Sequence, residues 1–255
     1  MSDEILKYIN CRYIYDIHEK SDTDYKCPYC GNGVLRCCEG DIYYFESPES
    51  KALRYDECWE PDWIEYLFSA SLRCNACSEI ILCSGTGAEM WMSIQGDKEE
   101  LSKLDSEDWI LRNFVPKYFV PSLTLCQIPN ECPNTIKDDI KVSFSLAFSD
   151  FSASGNRLRS ALEKLTMHLL PNSNSSFHHR LIELQDVDSE ASEILMSIKW
   201  LGNEASHESS LQHYDMAYAF EALGYVLARL FDEAPKNIRS FASRINVNKG
   251  SIAKT

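Results

Sequence analysis

The sequence predicts an α+β chain in which a β-rich, cysteine-bearing N-terminal part precedes an all-α helical bundle. Three observations carry this expectation. All eleven cysteines lie between Cys11 and Cys132. The apolar period changes from two to 3.6 beyond Pro133. Charge divides at the same place, with 12 Lys/Arg against 24 Asp/Glu in residues 1–134 and 13 against 15 in residues 135–255. The expected organisation is therefore a β-rich domain over 1–113, a Pro-rich connector over 114–134, a helical bundle over 135–232 and a basic tail over 233–255.

In the first segment, Cys27-Pro-Tyr-Cys30-Gly and Cys74-Asn-Ala-Cys77 form two knuckle-like pairs with 43 residues between Cys30 and Cys74. A Cys-x-x-Cys turn aims both sulfurs at one cation. Two such turns supply the four thiolates that Zn²⁺ accepts tetrahedrally, leaving no position for water. Cys27, Cys30, Cys74 and Cys77 are thus the candidate ligands of a structural zinc in a zinc-ribbon-like domain, with Cys37, Cys38 and Cys83 close enough in sequence to substitute. Unmetallated thiols and redox use are the alternatives, the latter requiring a strand-helix-strand unit that the sequence does not show. Cys11, Cys58, Cys126 and Cys132 read as small buried hydrophobes.

Strand signals follow each pair, at Val34–Cys38 and Asp41–Phe45 after the first and at Glu79–Cys83 after the second. The spacing exceeds that of a compact ribbon, so the insert must fold back on itself or pack separately. Within it, Asp56 to Leu72 carries Trp59, Trp63, Tyr66, Leu67 and Phe68 among acids and predicts a short amphipathic helix or a partner-facing patch. Gly85-Thr86-Gly87 reads as a turn. Four prolines in residues 114–134 predict an extended connector.

Beyond it, Asn134 or Thr135 caps a helix carrying Ile136, Ile140, Phe144, Ala147, Phe148 and Phe151. A second helix follows a Ser-Ala-Ser-Gly interruption, carries Leu158, Ala161, Leu162, Leu165 and Leu169, and stops at Pro171. A short third helix runs from about Phe177 to Asp186. A fourth starts near Asp188 or Ser189 and carries Ile194, Leu195, Ile198 and Leu201. A fifth carries Met216, Phe220, Leu223, Leu227 and Phe231. Five apolar stripes joined by short loops make a bundle.

Several function classes are disfavoured by composition. No stretch reaches the ~20 uninterrupted apolar residues of a membrane span, so no membrane partner is expected. The opening MSDEILKYIN has no apolar core or cleavage signature, which predicts a cytoplasmic chain without a secretory signal. The acidic N-terminal half is poorly suited to sequence-independent nucleic-acid binding. The tail from Lys236 to Thr255 has five basic residues and no acids, and reads as a solvated terminus or a contact for RNA or a partner.

In the fourth helix, Asn203 and His207 stand four apart, so a continuous helix would put an amide and an imidazole on one face. A hydrogen-bond lock and a phosphodiester-handling site both fit that pairing. Gly202 beside them predicts close helix approach or a kink.

The approach Pro121-x7-Pro129-x3-Pro133, the pair Leu158-Arg159-x-x-Leu162-Glu163 and the element Gly202-Asn203-x-x-x-His207 resemble the domain-of-unknown-function family 4145, a member of the HEPN superfamily of helical bundles. The resemblance covers about residues 115–232 and implies an HEPN-like bundle, for which a zinc ribbon ahead of the helices is also familiar. It further implies a homodimer and a role with a protein partner in prokaryotic defence against foreign nucleic acid. Active relatives are metal-independent ribonucleases in which an Arg and a His act across a dimer. By that likeness His207 would handle the proton, Asn203 would stand beside it, and Arg159, Arg157 or Lys199 would supply the cation. The Arg of the pattern is replaced by Gly202, which puts cleavage in doubt. Three readings follow: a zinc-bearing interaction module that dimerises, a ribonuclease acting through His207, and an adaptor whose acidic, aromatic front binds a basic protein.

Overall fold

The computed structural model describes residues 17–18, 25–91, 110–204, 213–232 and 242–247. It is a mixed α+β structure: an N-terminal antiparallel sheet followed by helices. Among the described residues, the sheet together with Phe144–Asp150 forms one compact unit. Leu125–Ser143 and the helices from Phe151 onward form the other.

The sheet has five strands in the order β1 (Ile17–His18), β5 (Ile110–Val120), β4 (Ile80–Trp91), β3 (Glu65–Cys74), β2 (Leu35–Glu46). Every neighbouring pair is antiparallel. Strict alternation in β3 buries Tyr66, Phe68, Ala70, Leu72 and Cys74 on one face. Phe114 of β5, fully buried, sits among the rings of Tyr44, Tyr66 and Phe68, with centroids 5.3, 6.4 and 5.1 Å away. Phe148, past the end of the first long helix, reaches the same unit and packs edge-on against Phe119 and Tyr25.

Three expectations are corrected here. The stretch from Asp56 to Leu72 is not a helix beyond a 3₁₀ turn at Pro61–Trp63. Its second half is β3, because Tyr66, Phe68, Ala70 and Leu72 alternate with exposed residues. Gly85 and Gly87 are not a turn but lie inside β4. A Cβ on Gly85 would collide with the Val115 carbonyl, and one on Gly87 would stand 2.6 Å from the Phe114 ring. The start of the Pro-rich stretch is not a connector but the second half of β5. Pro116, which cannot donate to a ladder, falls where the β4–β5 register shifts between Ser84 and Gly85.

A short helix α1 (Pro48–Leu53) bridges β2 and the 3₁₀ turn, capped by the Ser47 hydroxyl accepting from Ser50 N–H. The helical unit contains α2 (Asn134–Leu146), α3 (Phe151–Leu169), α4 (Phe177–Glu183), α5 (Ser189–Glu204) and α6 (His213–Phe231). Ala191, Leu195 and Ile198 of α5 and Met216, Phe220, Leu223 and Leu227 of α6 are buried. The Arg229 guanidinium grips Asp188 and Glu190 at 2.8 Å each, tying the end of α6 to the start of α5 and holding the Asp188 carboxyl below its usual range.

The Ser-Ala-Ser-Gly run, expected to interrupt the helices, lies inside α3. Ser154 is sealed in: its hydroxyl donates to the Ser143 carbonyl at 2.8 Å, and the two hydroxyls stand 3.0 Å apart. Small residues here let two helices approach, which local propensity alone does not reveal.

Candidate metal centre

The first knuckle is a tight turn. Gly31 N–H donates to the Cys27 carbonyl and Cys27 N–H to the Gly33 carbonyl, both at 2.9 Å, with Gly31 at φ 67°. It leads through the Lys26–Val34 bridge straight into β2. The second knuckle is the β3–β4 turn: Cys74 ends β3, Ile80 begins β4, and Ser78 N–H donates to the Cys74 carbonyl. Ser78 takes the left-handed conformation, φ 65°, that glycine usually fills. Asn75 joins the two knuckles, its N–H donating to the Val34 carbonyl and its side-chain oxygen accepting from Val34 N–H.

The long spacing between the pairs now has a cause. β2 leaves the first knuckle, β3 returns to the second, and Leu35 pairs with Cys74 in register. The 43 intervening residues are a β2–β3 hairpin with α1 and the 3₁₀ turn at its far end.

Within this frame Cys27, Cys30, Cys74 and Cys77 converge, all four Sγ atoms within 4.8 Å of one another. Cys27 and Cys77 Sγ stand 3.7 Å apart, as do those of Cys30 and Cys74. Four sulfurs about 2.3 Å from a tetrahedral centre have edges of about 3.8 Å, so the set is compatible with Zn²⁺. Cys37 and Cys83 lie along β2 and β4 outside this group. Burial pushes the Cys83 thiol up to about 12. Cys58, expected to be buried, is exposed, because it falls in the loop after α1. Cys132 is buried as expected, and Cys11 lies outside the described residues.

Backbone amides are aimed at the sulfurs: Gly33 N–H at Cys30 Sγ (3.3 Å), and Ala76 and Cys77 N–H at Cys74 Sγ (3.4 Å each). The Cys77 amide, with that of Ala76, draws the Cys74 thiol down to about 6. The Gly33 amide lowers Cys30. Cys27 is raised by burial. For Cys77, the pull of the Glu79 amide is outweighed by burial and the neighbouring sulfurs of Cys74, Cys27 and Cys30, which push it to about 12. One thiolate is thus preformed near neutrality, while Cys27 and Cys77 keep protons that a metal must displace. Metal affinity should therefore fall as pH falls, by roughly 100-fold or more per unit near neutrality if two or more protons are released. Competitive metal titrations at pH 6, 7 and 8 measure this, and a pH-independent affinity would contradict it.

Sequence reasoning missed Gly33. A Cβ there would overlap Cys74 Sγ and lie 2.8 Å from Ala76 Cβ, so the first knuckle touches the second through a bare backbone. The signal available was the second glycine of Gly31-Asn32-Gly33. Gly33→Ala should push a ligand sulfur out of place and weaken metal affinity at least tenfold, the low end expected for disturbing a site's supporting contacts. A metal competition assay would read this.

The other candidate residues sit on the helical unit. Asn203 lies in the last turn of α5, and His207 lies outside the described residues. Arg159 of α3 places its guanidinium 5.7 Å from the Phe177 ring centroid. Lys199 is buried, its Nζ 3.7 Å from the Trp200 ring centroid, and burial, with the charge of Arg159, lowers its pKa. Gly202 is buried too. A Cβ there would meet the Gly155 carbonyl at 3.6 Å and Arg159 Cβ at 3.7 Å, so position 202 is a close approach of α5 to α3.

No helix among the described residues is long and apolar enough to cross a membrane. No curated protein and no solved structure matches the chain. Over residues 16–119 the sequence matches the family described as Domain of unknown function (DUF8608), and over residues 141–248 it matches the family described as Domain of unknown function (DUF4145).

Proposed function

We propose that this protein is a zinc-clamped, HEPN-like interaction module that works as a homodimer in prokaryotic defence against foreign nucleic acid. The observation that carries the reading is the four-sulfur cluster with two edges of 3.7 Å. A metal held by four thiolates has no open position for substrate or water, so its role is to fasten two turns of a zinc-ribbon-like sheet rather than to perform chemistry. Four reduced thiols converging on one point are what a metal clamp in a reducing setting requires. The HEPN-like and defence elements rest on the Gly202-Asn203-x-x-x-His207 resemblance.

Binding is preferred over cleavage because the position of the family's Arg is a glycine packed against α3. There it offers no guanidinium for a developing phosphate charge. Metal analysis and sedimentation of the purified chain test the proposal: about one zinc per chain and a dimer are expected, and a metal-free monomer would contradict it. Labelled RNA incubated in EDTA should be left intact by the wild type and by His207→Ala alike. Cleavage lost in the variant would replace this reading with a metal-independent ribonuclease.

A further inference from the structure

Among the described residues, one face of the sheet carries exposed side chains of unusual composition. The register aligns three rows, two across four strands and one across three. Phe45 stands opposite Leu67, then Thr86, then Val115. Tyr43 stands opposite Ser69, then Ser84, then Tyr118. Ser71 stands opposite Leu82, then Val120. Tyr43 is 75% exposed, Phe45 60%, Leu67 39%, Leu82 53%, Tyr118 58% and Val120 67%. At the usual area of such side chains these six alone expose on the order of 700 Å². That exceeds the ~300–600 Å² of the largest apolar patch on a typical monomer and approaches the ~800 Å² per partner of a stable interface.

What surrounds and fills the patch argues for one occupant. Its three rows contain no charged side chain. Their polar groups, on Ser69, Ser71, Ser84, Thr86, Tyr43 and Tyr118, are all hydroxyls, which both donate and accept and so can pair with copies of themselves. Beside the rows, Asp41 stands two residues before Tyr43 on β2 and Lys117 lies at the β5 irregularity; the remaining charge is at the two ends, with opposite sign. Arg36 faces Arg73 at the knuckle end, and Glu65 stands at the other, eight residues or about 26 Å along β3. A copy turned end for end sets each arginine pair near the other copy's Glu65. An acidic or a basic partner would satisfy only one end. An isologous contact requires a self-complementary patch, and this one is.

We infer that the exposed face of β2–β5 is the dimer interface, two copies packing sheet to sheet. The inference rests on the dimeric reading given above but names a surface other than the helical one across which active relatives act.

Sedimentation equilibrium of the zinc-loaded full chain tests it, with Leu82→Lys/Tyr118→Lys as the disrupting variant. Both positions are exposed, so the fold should survive, as circular dichroism and retained zinc would verify. The wild type should dimerise at micromolar concentration, and the double variant should dissociate at least 100-fold more readily. Glu65→Lys should weaken the dimer about tenfold, and adding Arg73→Glu in the same chain should restore it. A folded double variant that still dimerises like the wild type would overturn the inference while leaving the dimer standing. A wild-type monomer at 100 μM would remove both.

Discussion

Cys74→Ser is expected to lose its metal and, with it, the cooperative folding of the sheet unit, while the helical signal persists. Cys74 closes β3, pairs with Leu35 at the start of β2, accepts two backbone amides and is the most acidic thiol of the cluster. A serine hydroxyl cannot replace that thiolate. Structural zinc sites contribute roughly 10–16 kcal/mol of apparent binding energy near neutral pH. That matches or exceeds the ~5–15 kcal/mol by which whole domains are stable. Amide exchange should therefore accelerate throughout β2, β3 and β4, and bound zinc should fall to background. A folded sheet with unchanged exchange would show that hydrophobic packing alone suffices.

Phe114→Ala should be the most damaging change away from the cluster, costing about 3–5 kcal/mol in denaturant unfolding of the metal-loaded protein. Phe114 of β5 has no exposed surface and holds together rings from two further strands: Tyr44 of β2 with Tyr66 and Phe68 of β3. Gly87 has no side chain where the Phe114 ring sits, so the neighbouring strand is shaped around it. Phe114→Leu should recover most of the loss. A cost below about 1 kcal/mol for the alanine variant would mean that the aromatic cluster is not a packed core.

The four sulfurs were legible because Cys-x-x-Cys is a local pattern with a local geometric consequence. Their partnership was legible because two such turns make one tetrahedron. The reason for their separation was not. Hairpin pairing of Leu35 with Cys74 is a long-range contact, and nothing local in residues 31–73 announces it. The tryptophan-bearing stretch misled because Trp59, Trp63, Tyr66 and Leu67 fall at helical spacing. The alternation Tyr66, Phe68, Ala70, Leu72 was present in the same residues and prevailed once β2 and β4 flanked it.

Pro116 and the glycines of β4 misled together. Each reads locally as a break, yet they meet at one irregularity, where a strand lacking an N–H passes against a strand lacking side chains. The helices were easier. Their apolar stripes and the stop at Pro171 are local, so α4 and α5 begin close to where the pattern places them, and α6 carries the stripe from Met216 to Phe231. The exception is Ser154-Gly155, which reads as a breaker in isolation but lies inside α3, where the Ser154 hydroxyl donates to the Ser143 carbonyl and the Gly155 carbonyl faces Gly202.

Gly202 connects this lesson to function. In the sequence it stands as a missing arginine, and in the fold it is a packing residue whose Cβ position faces α3. Arg159 lies against that position, and Lys199 stands one turn before Asn203 on the same helix.

The claim on which the account depends is that Cys27, Cys30, Cys74 and Cys77 close around one structural zinc ion. X-ray absorption at the zinc edge of the purified protein tests this most directly. The account predicts a single shell of four sulfurs at about 2.3 Å. A first shell containing oxygen or nitrogen, or a protein that carries no zinc when prepared with metal present, would contradict it.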